Sequence, residues 1–262
     1  MNLRKTFITA AGATMLLAST ALADSNTTTL DQQGNDNTNI TDQSGSQNDS
    51  LINQLGNNNS NDSSQAGDLN TYFVEQIGNG NSATVDQSIT ANDTTNFQSG
   101  NNNTANASQS GIQNENDVTQ LTDSNTVNVT QVGGENFSII TQDTGNGNTA
   151  TVSQDGTLNN SDLEQHGSGN TANLSQEGLK NDILAESNGN DNTNNVSQLG
   201  GDFNFSNTIQ NGDLHTVNLT QDGFTNFSDA LQNGFGSTYN GNQTGSNNIS
   251  NVVQNPGAGA PL

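Results

Sequence analysis

The chain has no cysteine and no tryptophan, only two prolines, and three basic residues against 26 acidic ones in 262 residues. Without cysteine it can form neither disulfides nor thiol-based active sites. So few bases argue against nucleic-acid binding and against docking on anionic lipid. Only 27% of the residues are hydrophobic. This composition is typical of disordered chains and favours a monomer that orders on docking.

The first 23 residues predict a secretory signal peptide. Arg4 and Lys5 precede an apolar run that ends in an A-x-A site at Ala23, and we expect cleavage between Ala23 and Asp24. An uncleaved membrane anchor is the alternative, but the run is short and rich in small residues. Cleavage leaves Lys180 as the single base against 26 acids, a net charge of −25 that keeps separate chains apart.

Glutamine recurs with a spacing of eleven residues along almost the whole remaining chain. One extra residue is inserted after Gln142 and another after Gln198, and Ser187 stands where a glutamine is expected. Internal repeats of this kind define the architecture of a chain. The column comprises Gln32, Gln43, Gln54, Gln65, Gln76, Gln87, Gln98, Gln109, Gln120, Gln131, Gln142, Gln154, Gln165, Gln176, Gln198, Gln210, Gln221, Gln232, Gln243 and Gln254.

Each repeat divides into a strand and a turn. A glycine follows most glutamines by two positions and an asparagine by five, so a glycine-bearing turn alternates with a seven-residue segment such as NTANLSQ (170–176). Four residues after the asparagine or its equivalent, the residue is apolar in fifteen of twenty segments, but only five are apolar one position earlier. This alternation predicts strands with Asn, the apolar residue and Gln facing inward.

The true period is two strands. Threonine or serine follows the asparagine position in every second segment, so equivalent strands recur every 22 or 23 residues. We therefore predict an all-β solenoid of about ten two-strand layers, roughly 50 Å tall, in which side-chain amides stack along the axis. Besides the glutamines from Gln43 to Gln254, the predicted amide ladder contains Asn81, Asn103, Asn125, Asn148, Asn170 and Asn192.

The predicted organisation has four parts. A signal peptide (1–23) is followed by a short segment (24–31), the repeat domain (32–254) and a Pro/Gly/Ala tail (255–262). Proline would remove a ladder hydrogen bond, and none occurs between Asp24 and Asn255. We see no cap on either end of the predicted stack, so further copies can dock there.

The unit Q-x-G-x-x-N-x-A-x-x-x-Q resembles the curlin repeat of bacterial curli fibre subunits. It is most complete in QIGNGNSATVDQ (76–87), QDTGNGNTATVSQ (142–154) and QHGSGNTANLSQ (165–176). The resemblance implies a secreted subunit that polymerises into extracellular cross-β amyloid fibres for adhesion and biofilm matrix. It also implies a nucleator subunit and an outer-membrane secretion channel as partners. The repeats depart from the pattern at Ser187 (for Gln), at Ile89 and Thr122 (for Gly), and at His215 and Ser237 (for Asn).

Other functions have weaker support. His166 and His215 are isolated, so we expect exposed turn residues, and the acids do not converge as catalytic carboxylates do. No cofactor or metal motif is present, although weak calcium binding stays open. The alternative function is a monomeric surface solenoid, either for ice binding through the Thr/Ser column or for ligand adhesion.

Overall fold

The computed structural model describes residues 14–17 and 25–255. They form 22 strands and no helix, arranged as a coil with two strands per turn. Odd-numbered strands make one parallel sheet (sheet A) and even-numbered strands the other (sheet B), so the predicted β-solenoid is confirmed. The predicted cleavage site between Ala23 and Asp24, and the tail after Asn255, lie outside the described residues.

Each sheet contains eleven strands in chain order. Sheet A consists of β1 (Thr14–Leu17), β3 (Thr38–Ser46), β5 (Ser60–Asp68), β7 (Ser82–Thr90), β9 (Thr104–Ile112), β11 (Thr126–Gly134), β13 (Thr149–Thr157), β15 (Thr171–Leu179), β17 (Thr193–Leu199), β19 (Thr216–Phe224) and β21 (Thr238–Ser246). Sheet B consists of β2 (Thr27–Gln33), β4 (Asp49–Asn57), β6 (Thr71–Asn79), β8 (Asp93–Asn101), β10 (Glu115–Gln120), β12 (Phe137–Thr144), β14 (Asn160–His166), β16 (Asp182–Asn188), β18 (Phe205–Asp213), β20 (Phe227–Phe235) and β22 (Ile249–Gln254).

The predicted faces are confirmed by burial. In β6, for example, Tyr72, Val74 and Gln76 are buried, whereas Thr71, Phe73 and Glu75 face outward. Neighbouring strands pair in register, so each glutamine lies beside the glutamine of the next layer. A slip of one residue would turn the apolar side chains toward solvent, which fixes this register.

The strands extend further than the sequence predicted. They begin one residue after the asparagine and in most layers continue two or three residues past the glutamine, so the glycine belongs to the ladder. Gly56 has φ +124°, and a Cβ there would lie 1.8 Å from the carbonyl oxygen of Gly78. The chain then reverses at Asn58, whose φ is +56°. Stacking on the next layer therefore requires glycine at the first of these two positions.

Both insertions were expected in the turns, but only the second lies between strands, after β17, whereas the first lies within β12. β11 and β13 keep their pairing from Thr126↔Thr149 to Gln131↔Gln154 although 23 residues separate them. In sheet B the first insertion shifts the pairing of β12 and β14 between Gln142 and Thr144 and leaves Asp143 as a bulge.

The apolar residues form two separate clusters inside the coil. One runs from Leu30 to Val85 and the other from Ala105 to Tyr239. Between them, β8 contributes buried Thr94 and Asn96. The core is therefore interrupted in one layer by polar side chains. In the described part of the chain, no helix is long and apolar enough to cross a membrane.

Candidate functional site

Glutamine side chains form a hydrogen-bonded column inside each sheet. In sheet A, the Nε2 of each glutamine donates to the Oε1 of the next without interruption, over distances of 2.7–3.1 Å. In sheet B, the column runs from Gln32 to Gln165, is interrupted at Ser187, and resumes from Gln210 to Gln254. Amide donors therefore point toward the C-terminal end of the coil and amide acceptors toward the N-terminal end.

The second N–H of each glutamine joins the two sheets. Gln54 in sheet B donates to the carbonyl of Thr38 in sheet A (3.1 Å), and Gln65 in sheet A donates to the carbonyl of Asp49 in sheet B (3.1 Å). These side chains are buried, and a buried amide must satisfy its donors within the protein. The glutamine thus fixes both the stacking of layers and the separation of the sheets.

Asparagine side chains make a second column at the turns. The Oδ1 of Asn59 accepts from the backbone N–H of Asn81 (3.0 Å), and its Nδ2 donates to the carbonyl of Gly78 (2.9 Å). Gly78 and Asn81 both belong to the next layer. Each asparagine therefore holds the turn that follows it along the axis, which explains the fixed spacing between glycine and asparagine.

The predicted ladder residues lie at the following places in the structure. Every glutamine from Gln43 to Gln243 in the column is buried, and Gln254 in the last strand is partly exposed. Asn81, Asn103, Asn125, Asn148, Asn170 and Asn192 are all buried with no exposed surface. Ser187 keeps half of the contact, since its Oγ donates to Oε1 of Gln210 (2.9 Å).

His215 is buried, so the expectation of an exposed turn histidine is wrong for this residue. It occupies the asparagine position, where its backbone N–H donates to Oδ1 of Asn192 (2.9 Å). Its ring bonds the carbonyl of Asn211 through Nε2 and the N–H of Ser237 through Nδ1, both at 3.2 Å. Imidazole presents a donor and an acceptor in the neutral form, as carboxamide does.

The two glycine replacements have different outcomes. Ile89 remains in the ladder with φ +82°, which is unfavourable for a β-branched residue. At Thr122 the strand is shorter, because β10 ends at Gln120 and residues 122–124 form a bend. Thr122 then donates through Oγ1 to the carbonyl of Gly145.

Two buried tyrosines lie next to inward positions that lack an apolar side chain. Tyr72 of sheet B reaches the hydroxyls of Thr41 and Ser63 in sheet A, where apolar side chains are absent. Burial raises the pKa of Tyr72. Tyr239 lies over Gly241, and its hydroxyl meets Ser250 at 3.1 Å. The repeat pattern did not identify either residue, because each departs from the usual small or polar side chain at its position.

The two outer faces of the coil differ in chemistry. From β9 to β21, the first three outward positions of every sheet A strand are Thr, Ser or Asn. We call this the neutral face. The Thr/Ser column predicted from the sequence lies in register there, and Asn173, Asn195, Asn218 and Asn240 bond one another along the axis at 2.8 Å.

Sheet B presents what we call the acidic face. Its outward side chains include Asp93, Glu115 and Asp117, and in later layers Asp162 and Asp182. Burial, followed by the charge of Asp93, raises the pKa values of Glu115 and Asp117. Burial followed by the charges of Glu164 and Asp182 raises the pKa of Asp162, and burial raises that of Asp182. The like charges within each of these two groups repel one another.

The bulge at Asp143 creates a local cluster on the acidic face. Asp143 contacts Nδ1 of His166, while Nε2 lies 3.3 Å from Glu164. Burial lowers the pKa of His166, but the hydrogen bonds and charges of Asp143 and Glu164 outweigh this and raise it. Ligand atoms of Glu164, His166 and Glu186 lie within 4.8 Å of one another and could share a cation. The repeat pattern carries no signal for this group, because an insertion places Asp143 there.

The last layer leaves the interior of the coil uncovered. A depression of about 500 Å³ is lined by residues including Tyr239, Gly241, Gln243 and Ser250. Within the coil, the N–H of the outward residue Phe227 donates to the carbonyl of Asn248 (2.8 Å), which directly precedes β22. The corresponding groups of β22, the last described strand, have no following strand among the described residues. At the other end, Oε1 of Gln32 is buried and has no hydrogen-bond partner among the described residues.

Comparison with known families identifies the repeat itself. The protein-family model described as "Curlin associated repeat" matches residues 122–156 and 145–178. These residues contain two of the three segments that resemble the curlin unit most closely. No curated protein matches the chain at a significant level. The chain therefore contains curlin associated repeats, in agreement with the resemblance found in the sequence.

Proposed function

We propose that this chain, a β-solenoid with curlin associated repeats, is a secreted structural subunit that self-assembles into extracellular curli-like amyloid fibres. The fibres would serve cell adhesion and biofilm matrix. Its role is mechanical rather than catalytic, and its main partner is a second copy of itself. By resemblance, a nucleator subunit starts the fibre and an outer-membrane channel exports the chain, which the signal peptide directs across the inner membrane.

The observation that carries this proposal is the complementarity of the two ends. The C-terminal end offers the Nε2 donors of Gln243 and Gln254, and the N-terminal end offers Oε1 of Gln32, which has no partner among the described residues. Donor meets acceptor only when copies dock head to tail. Two like ends would place donor against donor or acceptor against acceptor. Open edges of this kind favour addition of strands, and the polarity selects one direction of growth.

The first test follows polymerisation of the exported form, with its N-terminus established by mass spectrometry. We expect thioflavin-T fluorescence to rise after a lag that preformed seeds remove, and fibres that diffract near 4.7 and 10 Å. A β-rich chain that stays monomeric with seeds present would refute the proposal.

A pair of variants at Asn251 makes the test specific to the open end. Within the coil, the backbone N–H of an outward residue donates toward the following strand of its sheet, as Phe227 donates to the carbonyl of Asn248. Asn251 faces outward in β22, so its N–H points away from β20 and toward the open end. Asn251→Pro should therefore leave the fold intact but slow elongation by at least tenfold, because proline removes the donor and obstructs the edge. Asn251→Thr, which keeps the N–H, should elongate at the normal rate.

The neutral face supports a second candidate function, ice binding by a monomer. The Thr/Ser column runs along this face and continues beyond it, in register over ten strands from Thr38 to Thr238. Against this, the neighbouring asparagines use their side-chain amides in hydrogen bonds to one another. Thermal hysteresis from a preparation free of fibres would favour this alternative, and its absence in fibre-forming preparations would favour the fibre subunit.

A further inference from the structure

The number of strands in residues 25–255 is odd. Strands β2 to β22 comprise 21 strands, ten in sheet A and eleven in sheet B. Both the first and the last of them belong to sheet B. Strand β1, which would make the number even, lies within the predicted signal peptide. Residues 256–262, PGAGAPL, contain neither Gln nor Asn.

Both sheets make the same stacking bonds. Glutamine donates to the carbonyl sixteen residues earlier in sheet B (Gln54 to Thr38) and in sheet A (Gln65 to Asp49), at 3.1 Å in each case. Asn48 and Asn59 contact the glycine carbonyl nineteen residues later from opposite sheets, at 2.8 and 2.9 Å. The coil therefore repeats after every strand by a half turn about its axis, and a sheet A strand can stack on a sheet B strand.

Two arrangements of successive copies are possible. If sheet B continues as sheet B, β2 of the incoming copy pairs with β22. In sheet A, β3 then lies two strand spacings, about 9.6 Å, beyond β21. That gap leaves the ladder groups of both strands unpaired beside an uncovered interior. If the incoming copy is rotated by a half turn, β2 pairs with β21 and β3 with β22, and no gap remains.

We infer that successive subunits in the fibre are related by a half turn about the fibre axis, so that sheet A of one copy continues as sheet B of the next. The inference rests on the proposed function and concerns a subunit that consists of residues 24–262. Nε2 of Gln243 then meets the unpaired Oε1 of Gln32, and Gln254 meets Gln43. The neutral face and the acidic face alternate along each side of the fibre, every subunit or about 50 Å.

Engineered disulfides distinguish the two arrangements, because the chain has no cysteine of its own. Thr27, Thr238 and Ile249 are each the first residue of their strand and occupy equivalent outward positions at the ends of the coil. The half turn places Thr27 of one copy beside Thr238 of its neighbour, at a strand spacing that a disulfide can span. Continuation without rotation places it beside Ile249 instead.

The experiment assembles each double variant under reducing conditions, confirms fibres by diffraction, and then oxidises them. Thr27→Cys with Thr238→Cys should give a ladder of covalent oligomers on a non-reducing gel, and Thr27→Cys with Ile249→Cys should give monomer. The reverse pattern, or monomer from both, would overturn the half turn while leaving the fibre proposal intact. Failure to form fibres refutes the proposed function instead.

Helical reconstruction of unmodified fibres gives an independent readout. Each strand advances the coil by half a layer, about 2.4 Å. The half turn therefore predicts a rise per subunit of 21 half-layers, about 50 Å, and a rotation between subunits of about 180° added to the twist within each subunit. Continuation without rotation predicts a rise of 22 half-layers, about 53 Å, and a missing strand in sheet A at every junction.

Discussion

Nδ1 of His215 accepts a hydrogen bond from the backbone N–H of Ser237, one layer away, at 3.2 Å. In other layers this bond ends on the Oδ1 of an asparagine, as in the pair Asn59 and Asn81. The imidazole thus replaces a carboxamide in the turn column. Nε2 bonds Asn211 in its own turn, but no bond reaches the glycine carbonyl of the next layer as an asparagine would make.

Restoring asparagine at this position should therefore stabilise the coil. In His215→Asn the amide can keep the bond to Ser237 and add one to the carbonyl of Gly234. We expect the free energy of unfolding to rise by about 1 kcal/mol, measured by guanidinium titration of the β-sheet circular dichroism. His166→Asn, outside the column, is the control and should bring no gain. A loss of stability in His215→Asn would show that ring packing outweighs the amide bond.

Ser187→Gln should close the gap in the sheet B glutamine column. Ser187 is buried between Gln165 and Gln210, at a register position where the other layers hold glutamine. The new amide would accept from Gln165 and donate to Gln210, which we expect to stabilise the fold by about 1 kcal/mol. Ser197→Gln places the same side chain on the outer face and should change the midpoint of unfolding little. Destabilisation by Ser187→Gln would mean that the layer has contracted around serine.

Asn96→Val should join the two apolar clusters. Asn96 lies between Val74 and Val118 in the same inward column, and neither its Oδ1 nor its Nδ2 has a hydrogen-bond partner. Because an unsatisfied buried amide costs about 1–3 kcal/mol, we expect valine to raise the unfolding free energy by about that amount. Replacement of the outward neighbour, Thr95→Val, should have little effect. An unchanged or lowered unfolding midpoint in Asn96→Val would indicate that water reaches this amide.

Ile89→Gly should relieve the backbone where a glycine is missing. Ile89 has φ +82° and its side chain is 52% exposed, so it loses little packing on truncation. A left-handed backbone conformation destabilises a β-branched residue by about 1–2 kcal/mol, so we expect Ile89→Gly to raise the free energy of unfolding by about 1 kcal/mol. Ile112 is the matched control, since it is 53% exposed but has ordinary backbone angles. Ile112→Gly should destabilise, and equal effects from both variants would contradict this explanation.

Acidity should stabilise the coil through the acidic face. Glu115, Asp117, Asp162 and Asp182 have raised pKa values in the folded chain, so the folded state binds protons more tightly than the unfolded chain. Stability should therefore increase as the pH falls from neutral through these raised values toward 3.8 and 4.5, the ordinary values of Asp and Glu. Below those ordinary values the gain is complete.

Asp182→Asn should reproduce part of this gain at neutral pH. The amide oxygen can still accept the bond from Asn160 (2.9 Å) while the negative charge is lost. We expect about 0.5 kcal/mol at pH 7, or one to two degrees in the melting temperature, and no difference near pH 3. Asp222→Asn, an exposed acid at the end of the sheet A strand, is the control. A gain in Asp182→Asn that persists at pH 3 would exclude a charge effect.

The sequence predicted the fold closely because one residue type marks every layer. Glutamine spacing predicted twenty strands and their register, and alternation predicted the inward face, since both follow from the period of a strand. The structure adds β2, which begins at Thr27 in the segment predicted to precede the repeats. The extent of the strands was not predictable, because the glycine looked like a turn residue although it lies in the ladder. Leu158 and Phe203 adopt left-handed turn angles without any turn signature, since stacking imposes that conformation.

Contacts made by residues that depart from the repeat could not be predicted from the sequence. Tyr72 bonds hydroxyls on the opposite sheet, and His215 acts as an asparagine, because each is determined by what lies one layer away or across the coil. Asp143 approaches His166 only because an insertion bulges the strand. The repeat pattern shows which positions are equivalent in successive layers, but it does not show which side chains contact one another.

Equivalent bonding after every strand also has a genetic consequence. A tandem duplication or loss of eleven codons would add or remove one strand together with its glutamine and its turn, and the strands beside the change would stack on equivalent partners. The length of the rod can therefore change in increments of about 2.4 Å, half a strand spacing, without redesign of any contact. Each such event reverses which chemical face a subunit presents relative to its neighbour, so the surface pattern of the fibre is inherited as a count of repeats.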